Sequence, residues 1–174
     1  VTDGHLKGTA DRGLVMASRI QATARQEATL SGMIHLASTT GTDSPMSFTA
    51  DQALPANAYE VDQKYQLGPV TLQGADFDDV ESVTLNVGYT AEPLLAEADL
   101  YPTGVAVTAV VPTIEIAFYD VEKLLTYNFD GVAISGTCRF YLRHKVKGAN
   151  VVANATTSHL RFVVNAGMIE MATV

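Results

Sequence analysis

The feature of this sequence that most constrains its fold is an alternation of apolar and polar residues at every second position. Between residues 132 and 147 the even-numbered positions are mostly apolar, and the odd-numbered positions become basic toward the end. Successive side chains of a β-strand point to opposite faces of its sheet. The alternation therefore predicts one long strand over 132–147, in which Gly136 marks a bulge or a break.

The same period recurs along the chain, between turns that are rich in glycine and proline. Further strands are predicted around residues 14–22, 30–36, 83–87, 105–109, 114–118 and 160–164. In the strand at 83–87, Val83, Leu85 and Val87 are expected to point inward and Thr84 outward. Residues 21–30 also suit a helix, because alanine, arginine, glutamine and glutamate are frequent there. A chain of 174 residues with regularly bounded strands predicts a single mainly β domain over 1–174, a β-sandwich or barrel.

Two departures from the sheets are expected. Asp120 is placed to act as the N-cap of a short flanking helix over 121–127, which Asn128 and Gly131 would help to end. The alternative is a loop with one helical turn. Residues 41–61 are expected to form a long extended loop, and loops of this length are usually functional or become ordered against a neighbour.

Charge is unevenly distributed along the chain. Residues 1–42 carry four basic and three acidic groups, residues 43–130 carry two basic and fifteen acidic groups, and residues 131–174 carry five basic groups and one acidic group. The net charge of −8 therefore conceals an acidic centre and a basic C-terminal part. This pattern is typical either of a solvated acidic face or of stacking in which a basic end of one copy meets an acidic end of the next.

These charges define two candidate surfaces. The predicted inter-subunit contacts are Arg139, Arg143, Lys145, Lys147 and Arg161. The predicted acidic turn, or acidic surface facing a lumen, consists of Asp76, Asp78, Asp79 and Glu81. The acidic group lacks the glycine and glutamate positions of an EF-hand, so a polar turn is favoured over a calcium site. Specific nucleic-acid binding by the basic group has weak support, because Tyr141 is its one stacking aromatic residue.

The sequence gives no pattern typical of catalysis. No serine lies in a nucleophile elbow, and no phosphate-binding or dinucleotide-binding glycine motif is found. Cys138 falls on the apolar face of its predicted strand and is interpreted as a core residue. His144 and His159 would approach each other if their strands pair, as a surface pair rather than a zinc site. We therefore expect a non-enzymatic protein without catalytic, metal-binding or cofactor-binding residues. No apolar run is long enough to predict a membrane span.

Four segments combine these strands and turns into one pattern, at residues 67–72, 77–88, 101–103 and 112–116. This pattern resembles the major tail-tube proteins of long-tailed, siphovirus-like bacteriophages. The resemblance implies a β-sandwich with a flanking helix, matching 121–127, and a loop that contacts the next ring, matching 41–61. It also implies a structural virion protein, made in the bacterial cytoplasm, that assembles with itself and with other tail proteins. Its rings, commonly hexameric, stack into a tube through which DNA passes without specific binding.

Two other classes of protein remain open at this point. The first is a different self-assembling virion or filament protein, such as a capsid decoration protein or a pilus-like subunit. The second is a carbohydrate-binding β-sandwich, which is disfavoured because such domains usually present tryptophan or tyrosine platforms and this chain has no tryptophan.

Overall fold

The computed structural model describes residues 5–52, 63–120, 122–127, 129–146, 150–153 and 157–172. Its elements, in chain order, are β1 (His5–Ala10), β2 (Arg12–Thr23), β3 (Thr29–Ala37), β4 (Met46–Gln52), β5 (Gln63–Leu72), β6 (Ala75–Phe77), β7 (Val80–Asn86), β8 (Tyr89–Leu94), β9 (Gly104–Val110), β10 (Thr113–Phe118), α1 (Glu122–Tyr127), β11 (Val132–Ala133), β12 (Cys138–Val146), β13 (Leu160–Val164) and β14 (Met168–Ile169). The predicted mainly β fold with one short helix is confirmed.

Within the described residues the strands form five sheets. Two sheets have four strands, in the orders β10-β7-β2-β3 and β13-β12-β5-β6. The other three are two-stranded ribbons that pair β1 with β4, β8 with β9 and β11 with β14, all antiparallel. Residues 21–30, for which a helix was the alternative, contain the end of β2, a turn and the start of β3, so the strand interpretation is correct.

The chain divides into two compact units. Unit 1 consists of Val1–Arg19, Leu30–Tyr59 and Asn86–Thr113, and unit 2 of Ile20–Thr29, Glu60–Leu85 and Ile114–Val174. The boundary falls within β2, between residues 19 and 20.

Unit 2 contains the hydrophobic core. Its buried side chains are Ala22, Val70, Phe77, Val80, Val83, Phe129, Phe140 and Leu142. Alternation is clear in β12, where Phe140 and Leu142 are buried, and in β10, where Ile114, Ile116 and Phe118 are half-buried and the residues between them are exposed. In β7 the prediction holds for Val83 but is wrong for Thr84, which is also buried. Both faces of that strand are covered, so alternation alone does not separate them.

The predicted strand over 132–147 is interrupted. Residues 132–133 form β11 and pair with β14, whereas β12 begins at Cys138 and pairs with β5 and β13. The expectation of one continuous strand is therefore wrong. Gly136 lies in the break, at the position where a bulge or a break was predicted. A Cβ atom on Gly136 would lie 2.8 Å from the carbonyl carbon of Gln73, which shows how closely the two backbones approach.

The predicted helix is present as α1, with Asp120 as its N-cap. The Oδ1 atom of Asp120 accepts a hydrogen bond from the backbone N–H of Glu122 at 2.9 Å. This bond satisfies one amide that has no partner within the helix. Gly131 follows with a φ of 68°, whereas Val121 and Asn128 lie outside the described residues.

Unit 1 contains the ribbons β1–β4 and β8–β9, together with β3 and the first part of β2. Its segments are joined by hydrogen bonds to Arg12, whose Nε donates to the carbonyl of Ser38 at 3.1 Å and whose Nη2 donates to that of Thr103 at 2.6 Å. The segment 41–61, expected as an extended loop, contains β4 in its first half. Residues 53–61 lie outside the described residues, so the role of this segment as an inter-subunit loop stays a prediction.

Candidate assembly surfaces

The β1–β4 ribbon has one apolar face and one polar face. Gly8 lies opposite Phe48 and Ala10 opposite Met46, so these side chains share a face with Leu6. Lys7 and Thr49 pair on the other face. Gly8 makes room for the aromatic ring, since a Cβ atom there would lie 3.4 Å from Cε1 of Phe48. The apolar face is open to solvent: Leu6 is 67% exposed and Phe48 62% exposed.

The β8–β9 ribbon repeats this arrangement in unit 1. Its cross-strand pairs Tyr89–Val110 and Ala91–Val107 are apolar, and both valines are exposed.

Strand β3 is at the end of the order β10-β7-β2-β3 and so is an edge strand. It exposes further large apolar side chains, namely Leu30, Met33 and Ile34. Apolar edge strands are sites where another chain can add to a sheet.

These exposed faces leave unit 1 with very little core of its own. In its described part, the buried hydrophobic side chains are Met16 and Ala37. A two-stranded ribbon is marginally stable in water unless another layer covers its apolar face. Clusters of exposed apolar side chains on a folded protein typically mark interaction sites. Unit 1 therefore exposes much of its apolar surface, whereas the buried core cluster lies in unit 2.

The predicted basic residues lie on one face of the sheet β13-β12-β5-β6, here called the basic face: Arg139, Arg143, Lys145 and Arg161. In β12 the even positions Phe140 and Leu142 are buried, so the odd positions point to the opposite face. Arg161 pairs with Tyr141 and shares that face. Lys147, predicted with this group, lies outside the described residues.

Arg143 is a partly buried member of the basic face. Its Nη2 atom donates to the carbonyl of Val152 at 3.3 Å, and its Nε atom is buried without a hydrogen-bond partner among the described residues. Its stem lies against Gly68, where a Cβ atom would come within 2.7 Å of Cγ of Arg143. Packing therefore holds the guanidinium in one position, and its Nε–H group donates to no described residue.

The predicted acidic residues lie in and after β6, the strand at the other edge of this sheet, and are here called the acidic edge: Asp76, Asp78, Asp79 and Glu81. Glu81 belongs to the other four-stranded sheet, β10-β7-β2-β3. Asp76 is in β6, Asp78 and Asp79 follow in the turn, and Glu81 is in β7. All four are exposed. The Oδ1 atom of Asp76 accepts a hydrogen bond from Thr71 at 2.7 Å, so the turn is anchored to the sheet.

The other chemistry-bearing residues have structural roles. Cys138 is 2% exposed, as predicted, and accepts a hydrogen bond from the backbone N–H of Gln73. His144 and His159 do approach: Nδ1 of His159 accepts the backbone N–H of His144 at 3.1 Å. Within the described ranges, no group of three or more histidine, cysteine, aspartate or glutamate side chains could hold a metal ion. No helix of the described part is long and apolar enough to cross a membrane.

The residues of the exposed ribbons and the neutralised cation Lys64 were not among the predicted surfaces. Lys64 on β5 lies opposite Lys145 and forms an ion pair with Glu27. The signal for the β1–β4 ribbon was present but weak. The alternating set at positions 6, 8 and 10 is leucine, glycine and alanine, which contains one large apolar side chain.

Comparisons of the chain with protein-family models, with curated protein sequences and with solved structures found no match.

Proposed function

We propose that this chain is a structural, self-assembling virion protein that acts as the tail-tube subunit of a long-tailed bacteriophage. Copies form rings, commonly hexameric in the family that the sequence resembles, and the rings stack into a tube that conducts DNA during ejection. The chain carries out no chemistry in this role. It contacts other copies of itself and the neighbouring tail proteins.

The observation that supports this proposal is the exposed apolar face of the β1–β4 ribbon in unit 1. Leu6, Met46 and Phe48 lie on one face of a two-stranded ribbon, and all three are exposed. Covering a large apolar side chain contributes roughly 1.5–3 kcal/mol. Contacts of this kind, repeated over several ribbons, are sufficient to drive association of copies.

The charge of the chain fits passage of DNA. A net charge of −8 means that each copy repels phosphate groups on average. A lumen lined by acidic side chains would let DNA slide without binding. The same charge does not favour a nucleic-acid-binding function, which usually requires a strongly basic surface.

The test is whether the purified chain assembles through this ribbon. Negative-stain electron microscopy and sedimentation velocity should show rings or tubes for the wild type. The variant Leu6→Gln with Phe48→Gln should raise the concentration needed for assembly at least roughly tenfold, since about 1.4 kcal/mol corresponds to a factor of ten. Its thermal unfolding should change little, because the core in unit 2 is untouched.

The matched control is Thr9→Gln with Thr49→Gln, which changes the polar face of the same ribbon. This variant should assemble like the wild type. A wild-type chain that stays monomeric at high concentration would exclude the proposal. Assembly into isolated small oligomers, without rings or tubes, would favour the capsid decoration alternative instead.

A further inference from the structure

Unit 2 separates its charges across one sheet. The strand order β13-β12-β5-β6 places the basic face on β12 and β13 and the acidic edge beside β6. With neighbouring strands about 4.8 Å apart, the outer strands of this sheet are separated by roughly 14 Å. Asp76 lies in the same cross-strand row as Arg139, with Thr71 between them. Asp78 and Asp79 follow the edge strand β6 and so lie apart from the basic face.

The basic face is unfavourable within a single copy. Lys145 lies directly opposite Lys64, and like charges at directly opposed positions of an antiparallel pair destabilise it. Lys64 is neutralised by Glu27, which forms the one ion pair found among the described residues. The four cations of the basic face have no such carboxylate partner within the part of the chain that the structure describes.

The acidic edge has the complementary property. Asp78, Asp79 and Glu81 are exposed, and none of them takes part in an ion pair with another described residue. Because the rest of the chain is acidic, a second copy offers the basic face abundant carboxylates. A polyanion such as nucleic acid would instead meet the repulsion of the net charge of −8.

We propose that the acidic edge of one copy docks on the basic face of the next, which makes this contact heterologous. This inference rests on the proposed self-assembly and assigns it a second interface, separate from the apolar ribbons of unit 1. A heterologous contact extends from copy to copy into rings or filaments. Electrostatic complementarity of this kind mainly sets register and association rate.

The test is a charge exchange between the two surfaces. Lys145→Glu with Arg161→Glu reverses the basic face and spares Arg143, whose packing against Gly68 could affect folding. Asp78→Lys with Asp79→Lys reverses the acidic edge. Each double variant alone should slow assembly at least tenfold at low salt, as followed by light scattering. The chain that carries all four changes should recover most of the wild-type rate.

A matched control keeps the change in net charge but moves it away from the sheet. Lys7→Glu with Arg19→Glu changes two exposed cations of unit 1, outside the basic face and the acidic edge, and should leave the rate within about twofold of the wild type. Circular dichroism of each variant confirms that unit 2 is folded. Raising the salt concentration should reduce the difference between the wild type and the reversed variants, because salt screens exposed charges.

The outcomes separate this inference from the proposed function. A wild-type chain that never assembles refutes the tail-tube proposal itself. A wild-type chain that assembles, with reversed variants that assemble equally fast, refutes only the charged contact. Failure of the fourfold variant to recover also refutes it. Binding of a fluorescent dT20 oligonucleotide that is lost with Lys145→Glu and Arg161→Glu, while assembly is unchanged, would assign the basic face to nucleic acid instead.

Discussion

The Oε1 atom of Gln73 accepts a hydrogen bond from the backbone N–H of Gly136 at 2.6 Å. The same oxygen accepts the N–H of Ser135 at 3.1 Å, and Nε2 of Gln73 donates to the carbonyl of Ala133 at 2.9 Å. One side chain thus supplies the hydrogen bonds that a neighbouring strand would supply, over the residues where the predicted long strand is interrupted. The break between β11 and β12 is held in place by Gln73.

Replacing Gln73 with alanine should destabilise unit 2. The change leaves backbone amides and a carbonyl without their partner, and we expect a loss of about 1–3 kcal/mol in the free energy of unfolding. Urea denaturation followed by circular dichroism measures it. Gln66→Ala, on the neighbouring part of β5, removes the same side chain without these bonds and should cost less than about 0.5 kcal/mol. Equal effects of the two substitutions would show that Gln73 does not support the break.

Gly136→Ala should be more damaging than Gly74→Ala. At Gly136 the new methyl group would meet backbone atoms of Gln73 at 2.8–3.0 Å, and backbone cannot move aside cheaply. At Gly74 the space is open, and the cost is the strain of a φ of 85°, roughly 1–2 kcal/mol for a residue with a side chain. Thermal unfolding of the two variants should therefore give a lower midpoint for Gly136→Ala. The reverse order would contradict the close approach of the two backbones.

Alternation identified the strands that bury one face, because burial on one side of a sheet imposes a period of two. It therefore located β2, β10 and the core face of β12. It did not locate β5, in which Leu67 faces Leu142 and Val70 faces Phe140 across a register shift. That bulge changes the parity of the inward positions, so the period of two is lost at Gly68.

The remaining differences come from contacts between residues that are distant in the sequence. The break over 134–137 depends on a side chain more than 60 residues away. The glycine at position 136 marked the place of the break, but no local pattern could predict that Gln73 holds it. The basic face, in contrast, was predictable from the odd positions of β12, since one strand contains most of it. The apolar ribbon of β1 and β4 was not, because each of its strands contributes few large side chains.

Phe140 is expected to be the most sensitive position of the core. Its ring is 2% exposed and stacks on Phe162 with centroids 4.6 Å apart. Phe140→Ala should lower the free energy of unfolding by about 3–5 kcal/mol, because it removes buried area and leaves a cavity. Val163→Ala, on the adjacent strand and 49% exposed, serves as the control and should cost less than about 1 kcal/mol. Chemical denaturation of both variants decides whether the sheet has one buried face.

The ion pair between Glu27 and Lys64 should contribute little to stability. Both side chains are partly exposed, and pairs of this kind are typically worth about 0–1 kcal/mol. A double-mutant cycle with Glu27→Gln and Lys64→Gln should give a coupling energy in that range, and added salt should reduce it. A coupling well above this range would indicate that Lys64 is desolvated by its neighbour Lys145. In that case the charges of the basic face would interact with one another more strongly than their geometry suggests.

His159 should carry its proton on Nε2 when the ring is neutral. Its Nδ1 atom accepts the backbone N–H of His144, which leaves this nitrogen unprotonated, and its Nε2 atom lies 3.0 Å from the carbonyl of Ala153. An N–H group at Nε2 can donate to that carbonyl, whereas a lone pair would be repelled by it. Nitrogen-15 NMR of the neutral ring distinguishes the two tautomers. Protonation at Nδ1 would mean that His159 does not accept the hydrogen bond from the backbone N–H of His144 at the end of β12. His35, which lies in β3, provides the comparison spectrum within the same chain.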